Sequence, residues 1–265
     1  MPIPIYTVNA FSFGPFTGNP AAVCPLEKWL PDNIMQAVAA QNNLSETVFF
    51  VEETHHFSIR WFTPTTEVPL CGHATLAAAY IIFTKLNYIK NEIRFLSKSG
   101  ELKVIKEKDI LILNFPVEHF IEVSNTVVNE KQTGFTAIHT VKGRSFILAE
   151  VATEEDVMHA QPDFTALKQI DASGIIITAK GTTSDFVSRV FAPQSGIDED
   201  PVTGSAYCIL IPYWANKLHK DNLLAKQLSK RGGILHCTYA GSRVLIGGKA
   251  DLFSSGHLEF TTPNL

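Results

Sequence analysis

The sequence predicts an α+β protein of two similar β-rich halves, each with an apolar helix set into its own sheet. Three observations lead there. Strand-like segments outnumber helical ones and do not alternate with them regularly, which argues against a wound βαβ sheet. Ala74 to Phe83 and Ala206 to Trp214 (with Pro212 inside it) are almost wholly apolar. A helix that is apolar all round must be buried on every side. The chain also repeats itself: Arg60-Trp61-Phe62-Thr63-Pro64 is echoed by Arg189-Val190-Phe191-Ala192-Pro193. Gly72-His73-Ala74 follows the first segment and Gly204-Ser205-Ala206 the second, each after a proline (Pro69, Pro201) and before an apolar stretch. Strand, proline, glycine and buried helix recurring in one order is the pattern of two related domains.

Taken in order, Ile3 to Ala10 alternates like a strand, and Phe13 to Pro20 is a loop dense in turn residues. Pro31 to Asn43 places Ile34, Met35, Val38 and Ala39 on one side of a helix ending at Asn42-Asn43. Strands are expected at Thr47 to Val51, Phe57 to Phe62, Ile93 to Leu96, Leu102 to Ile105 and Ile110 to Phe115. The second half continues with strands at Phe146 to Ala149, Gly174 to Thr178 and Phe186 to Phe191, then its apolar helix. Asn222 to Arg231, closed by Gly232-Gly233, reads as a helix with a glycine stop. Strands follow from Ile234 to Tyr239 and Ser242 to Ile246, with a last one at Leu258 to Thr262. Pro116 and Gly247-Gly248 mark the boundaries. One domain takes residues 1–116 and 250–265, the other 117–249.

Composition narrows the function. The 265 residues are 45% hydrophobic and 18% charged, ample material for a buried core and too apolar for a disordered chain. A formal net charge of -4 without a Lys/Arg run offers nothing to nucleic acid. The longest apolar-or-tyrosine run, Leu76 to Phe83, is under half of the roughly 20 residues that a membrane span needs. Met1-Pro2-Ile3-Pro4-Ile5 lacks the features of a secretory signal. Cys24, Cys71, Cys208 and Cys237 show no short-spaced pair, so reduced thiols in a cytoplasmic protein are expected.

Helices starting at Gly72 and Gly204 present unpaired N–H groups and positive dipole ends. If both face one cleft, they suit an anion there, most naturally a carboxylate. Glu46 shares a strand face with Leu44, Val48 and Phe50. It is either a desolvated carboxyl suited to proton transfer or an acid at a solvated strand end. His73 and Ser205 open the two helices. Asp200 closes Asp198-Glu199-Asp200, where an N-terminal capping role competes with a functional one. A Ser205-His73-Asp200 hydrolase triad lacks a G-x-S-x-G elbow. His55-His56 and His236-Cys237 lack metal-ligand spacing, so no metal is expected. Without a P-loop or G-x-G-x-x-G, no nucleotide cofactor is expected either.

Phe16 to Val23, Ser45-Glu46-Thr47-Val48-Phe49, Arg60 to Thr75 with Pro69-Leu70-Cys71-Gly72-His73-Ala74-Thr75, and Arg189 to Ala206 with Glu199-Asp200-Pro201-Val202-Thr203-Gly204-Ser205-Ala206 together resemble the PhzF phenazine-biosynthesis-like proteins. The resemblance runs in order from about residue 6 to the final strands. It implies a diaminopimelate epimerase-like fold of two pseudo-symmetric, barrel-like domains, each around a central helix, with the site between them. It also implies a cofactor-independent enzyme, commonly a homodimer. Glu46 then corresponds to the acid/base glutamate. His73, Asp200 and Ser205 correspond to the helix-start residues, and Gly72, Gly204 and Asn19 join the substrate contacts.

Epimerase relatives use two opposed cysteines. Here Cys71 stands at the first place, while the second loop offers Pro201 near the corresponding position and no cysteine. A single carboxyl returning its proton elsewhere on the same face therefore suits an isomerisation of a small carboxylate better than a two-thiol epimerisation. Two other readings stay open: a non-catalytic binding homologue, and an amino- or hydroxy-acid racemase using Cys71.

Overall fold

The computed structural model describes residues 2–128 and 130–259. The chain divides into two compact units: residues up to Leu113 with those from Lys249 onward, and Asn114–Gly248.

The first unit is built from β1 (Ile3–Ser12), β2 (Asn19–Leu26), α1 (Asp32–Asn42), β3 (Glu46–Glu52), β4 (Phe57–Phe62), β5 (Glu67–Val68), α2 (Gly72–Lys85), β6 (Glu92–Ser97), β7 (Gly100–Glu107) and β8 (Ile110–Pro116, whose last residues pass the boundary). β1 pairs antiparallel with β2, β2 parallel with β3, and β3 antiparallel with β4. β4 pairs antiparallel with β5 and, on the far side of the α2 crossover, parallel with β6; β6–β7–β8 is a meander. α2 packs on β1, β2 and β3, with Gly72 to Ala79, Ile81 and Ile82 buried. α1 covers the other face of the sheet, laying Met35, Val38 and Ala39 against Cys24, Phe49, Val51 and Phe62.

The second unit follows as β9 (Ile121–Glu122), α3 (Glu130–Thr133), β10 (His139–Lys142), β11 (Phe146–Glu150), α4 (Glu154–His159), α5 (Phe164–Leu167), β12 (Gly174–Lys180), β13 (Phe186–Ala192), β14 (Ile197–Asp200), α6 (Tyr207–Leu218), β15 (Asn222–Gln227), β16 (Gly233–Ala240) and the first part of β17 (Arg243–Leu258). Its pairings repeat those of the first unit one for one. β10–β11 is antiparallel, β11–β12 parallel, β12–β13 and β13–β14 antiparallel, and β13–β15 parallel, with β15–β16–β17 as the meander. α6 is buried from Ile209 to Ala215 and packs on β11, β15 and β16. The repeat anticipated from the sequence is therefore a repeat of topology. Its register pairs Phe49 with Arg60 and Ile177 with Arg189, which makes Gly174 the counterpart of Glu46.

Three sequence expectations are corrected. Asn222 to Arg231 is not a helix: Asn222–Gln227 is a strand between β13 and β16. Its side chains alternate, with Leu223, Ala225 and Gln227 buried, and two strand ladders outweigh a weak helical propensity. The second apolar helix does not begin as α-helix at Gly204; a 3₁₀ turn over Gly204–Ala206 leads into α6 at Tyr207, tightened by the Ala206 N–H donating to Thr203 O. Counted back from Gly72 and Gly204, Thr203 and not Pro201 takes the place of Cys71. The strand expected at 258–262 falls outside the described residues from 260 onward; β17 reaches Leu258.

Pro212 sits inside α6. It has no N–H for the Cys208 carbonyl, and the backbone N–H of Glu118 donates to that carbonyl instead, at 3.0 Å. Among the described residues no helix is long and apolar enough to cross a membrane.

One device recurs in both units. Arg60 on β4 forks onto Glu67 of β5 with two 2.8 Å hydrogen bonds, and its third nitrogen donates to Asp32 at the start of α1. Arg189 on β13 forks onto Glu199 of β14 at 2.6 and 3.0 Å, and its third nitrogen donates to the carbonyls of Val157, Met158 and Ala160 at the end of α4. Each guanidinium lies over a phenylalanine two residues on, Phe62 or Phe191. A planar fork is needed for this, so lysine cannot substitute. Arg189→Met leaves Glu199 without its partner and three carbonyls without a donor, and is expected to lower stability by about 2–3 kcal/mol. Arg189→Lys is expected to recover only a minor part. An unchanged urea midpoint in Arg189→Met contradicts the role.

Candidate functional site

Glu46 is the first residue of β3, paired in parallel register with Ala21 of β2. That places it at the strand end nearest the start of α2, which packs on the same strands. The Glu46 Oε2 and His73 Nε2 atoms lie 3.0 Å apart, both shut off from solvent. They meet as a charge contact, out of line for a hydrogen bond. The other ring nitrogen of His73, Nδ1, has Asn19 Nδ2 at 3.3 Å and Cys71 Sγ at 3.5 Å. His73 is 4% exposed and Asn19 fully buried, while the Glu46 side chain keeps 13% exposure. Gly72 opens α2 between Cys71 and His73, and Thr75 Oγ1 donates to the Cys71 carbonyl at 2.6 Å, closing the first turn.

Burial and close contact shift the titration of His73 and Cys71. Burial alone would depress the His73 pKa, and its contacts with Cys71 and Glu46 raise it above its ordinary value. Burial, with the Glu46 charge beside it, pushes the Cys71 thiol up to about 11. Cys71 therefore keeps its proton at neutral pH.

A chemical consequence is measurable. Burial also raises Cys24 and Cys237, and takes Cys208 to about 12. Alkylation by iodoacetamide needs the thiolate. The native protein is expected to be almost inert at pH 7, with labelling of the Cys71 peptide rising about tenfold per pH unit until near pH 11. Rapid labelling of Cys71 at pH 7, read by mass spectrometry, contradicts this environment.

Glu46, Cys71 and His73 each offer one ligand atom within 4.8 Å of the others, a donor set that zinc accepts. Cys71 and Glu46, however, stand at opposite nitrogens of one imidazole. That arrangement suits proton contact along the ring better than three ligands around one ion.

In the second unit Asp200 ends β14, and Thr203 Oγ1 donates to its Oδ2 at 2.6 Å. The residue before the 3₁₀ turn is Thr203, which makes no side-chain cap. Gly204 is buried and Ser205 exposed. The expected site residues thus form two groups: Asn19, Glu46, Gly72 and His73 in the first unit, Asp200, Gly204 and Ser205 in the second. A recess of about 470 Å³ in the second unit, lined by Phe135, Ile138, Asp156 and His159 among others, contains none of them. Sequence reasoning missed Gln227, which is 1% exposed and holds the Asp200–Thr203 loop.

Residues 8–256 match the model of a family described as phenazine biosynthesis-like protein. The chain belongs to that PhzF family. It is 47% identical to an uncharacterized isomerase of Pseudomonas aeruginosa, over 98% of this chain and all of that one. A crystal structure of a PhzF-family protein from Enterococcus faecalis superposes with a TM-score of 0.94 at 44% identity, covering 98% of this chain and all of the other. The fold extends further: a hydroxyproline epimerase from Agrobacterium vitis matches 97% of the chain and 92% of its own with a TM-score of 0.59 at 8% identity, a likeness of fold alone. This PhzF-family chain is an enzyme of the isomerase class, as its relatives are named, on an epimerase-like fold.

Proposed function

We propose that the protein isomerises a small carboxylate substrate without a cofactor, with Glu46 removing a proton from carbon and returning it elsewhere on the same face. The observation that carries this is the buried 3.0 Å contact between Glu46 and His73. It sets a carboxylate, a group that accepts a proton when ionised, beside an imidazole in a buried site. Once protonated, Glu46 is neutral and holds the hydrogen for return, so the reaction closes with no net proton change. His73 flanks that cycle from Nε2, and the Asn19 amide donates to Nδ1 when that nitrogen is unprotonated. Gly72, Gly204 and Ser205 are assigned to the substrate's carboxylate through backbone N–H groups, and Asp200 to orienting the substrate.

The racemase alternative, Cys71 acting with Glu46 or Asp200, fares worse because Cys71 retains its proton at neutral pH.

The test is deuterium incorporation from heavy water across a panel of small α-amino, α-hydroxy and unsaturated carboxylates, followed by NMR. Exchange or rearrangement of at least one compound is expected, and it should vanish in Glu46→Gln. No incorporation across a broad panel favours the binding homologue. Exchange that survives Glu46→Gln but not Cys71→Ser favours the racemase.

A further inference from the structure

We propose that Gln227 is a positioning residue for Asp200, fixing the direction of the Thr203 hydroxyl and, through it, the Asp200 carboxylate. The proposal rests on the reading that Asp200 orients substrate.

The argument starts from groups whose hydrogen-bonding sense is unambiguous. The Thr203 backbone N–H donates to Gln227 Oε1 at 3.0 Å. An N–H can meet only the amide oxygen, so the amide of Gln227 has one orientation. Its Nε2 then faces the Asp200 carbonyl at 2.8 Å and Thr203 Oγ1 at 3.3 Å, donating to both. With a donor already pointing at Oγ1, the hydroxyl's own proton turns the other way, onto Asp200 Oδ2 at 2.6 Å. Each group thereby dictates the next, from the buried end of β15 to the carboxylate.

Neighbouring contacts hold the same loop. Ser229 Oγ donates to the Pro201 carbonyl at 2.7 Å, so the Asp200 and Pro201 carbonyls and the Thr203 N–H are all taken by side chains from residues 227–229. On the other side of β14, Glu199 is forked by Arg189. The first unit repeats part of this, with Ser99 Oγ donating to the Pro69 carbonyl at 2.8 Å. It has Cys71 where the second unit has Thr203, so the hydroxyl relay belongs to the Asp200 side alone.

A hydroxyl aimed at a carboxylate oxygen stabilises the ionised form. The test reads that directly, without substrate, from the ¹³C side-chain shift of Asp200 against pH in protein labelled at aspartate, with Asp200→Asn identifying the signal. The wild-type midpoint is expected below the ordinary value of about 3.9. Thr203→Val should raise it by about one pH unit, and Thr203→Ser should restore it. Gln227→Met, which leaves the hydroxyl in place but frees its rotation, should raise it by less. A wild-type midpoint above 3.9, or one unmoved in Thr203→Val, overturns the proposal. Because no turnover enters this readout, its failure is distinct from that of the isomerase reading, which the heavy-water experiment decides.

Discussion

Glu46→Gln is expected to lower deuterium exchange and turnover by about 100-fold or more while the protein stays folded. Glutamine keeps the shape and one acceptor oxygen but has no titratable proton to carry. The fold should tolerate it, because Glu46 begins a strand whose ladder to Ala21 and onward is made by backbone groups. His73 loses its facing anion in this variant, so its pKa should fall from its raised position, and imidazole ¹H shifts report that. Near-normal exchange in a folded Glu46→Gln protein removes Glu46 from the mechanism.

Gly18→Ala is expected to be the most damaging small substitution in the first unit. Gly18 has a φ of +79°, in the region that a side chain disfavours. A Cβ there would lie 2.4 Å from the Ala10 carbonyl oxygen and 3.0 Å from the Ser12 nitrogen, both backbone atoms of β1. Neither can swing aside as a side chain would, so the β1–β2 hairpin must open. The combined strain and clash should cost about 3 kcal/mol or more. Asn19, the next residue, pairs with Ala10 across that hairpin and touches His73 Nδ1. Exchange activity should therefore fall even where the variant stays folded. A variant with unchanged urea midpoint and activity would show that the hairpin has slack that its geometry denies.

Much of the fold was legible because burial in a sheet leaves a period of two and burial of a whole helix leaves no period at all. Phe57–Phe62 and Ile110–Pro116 were readable from alternation, and α2 and α6 from unbroken apolarity. β5 and β14 were not, since Glu67–Val68 and Ile197–Asp200 carry no apolar run. Arginines on neighbouring strands hold them. Asn222 to Gln227 misled because Leu, Ala, Lys and Gln are all good helix formers, and its strand state depends on β13 and β16. Gln227 was hidden inside that misreading. Thr203 had a signal of its own, three residues after Asp200, the spacing at which a hydroxyl reaches back to a carboxylate. The approach of Glu46 to His73 joins residues 27 positions apart, and no local pattern announces it: strand face and helix start marked each residue separately, and the family motif marked both.

The equivalence of Glu46 and Gly174 limits how this chain can change. Gly174 is buried, and a Cβ on it would lie 2.9 Å from the Phe146 ring and 3.0 Å from the Phe191 carbonyl oxygen. A carboxylate cannot be copied from one repeat to the other by a single substitution, nor by trimming Phe146 alone, since the backbone oxygen remains. A single substitution can remove the carboxylate at Glu46, whereas no equally short path places one at Gly174. The asymmetry between the two repeats is thus built into the packing around Gly174, between Phe146 and the Phe191 backbone.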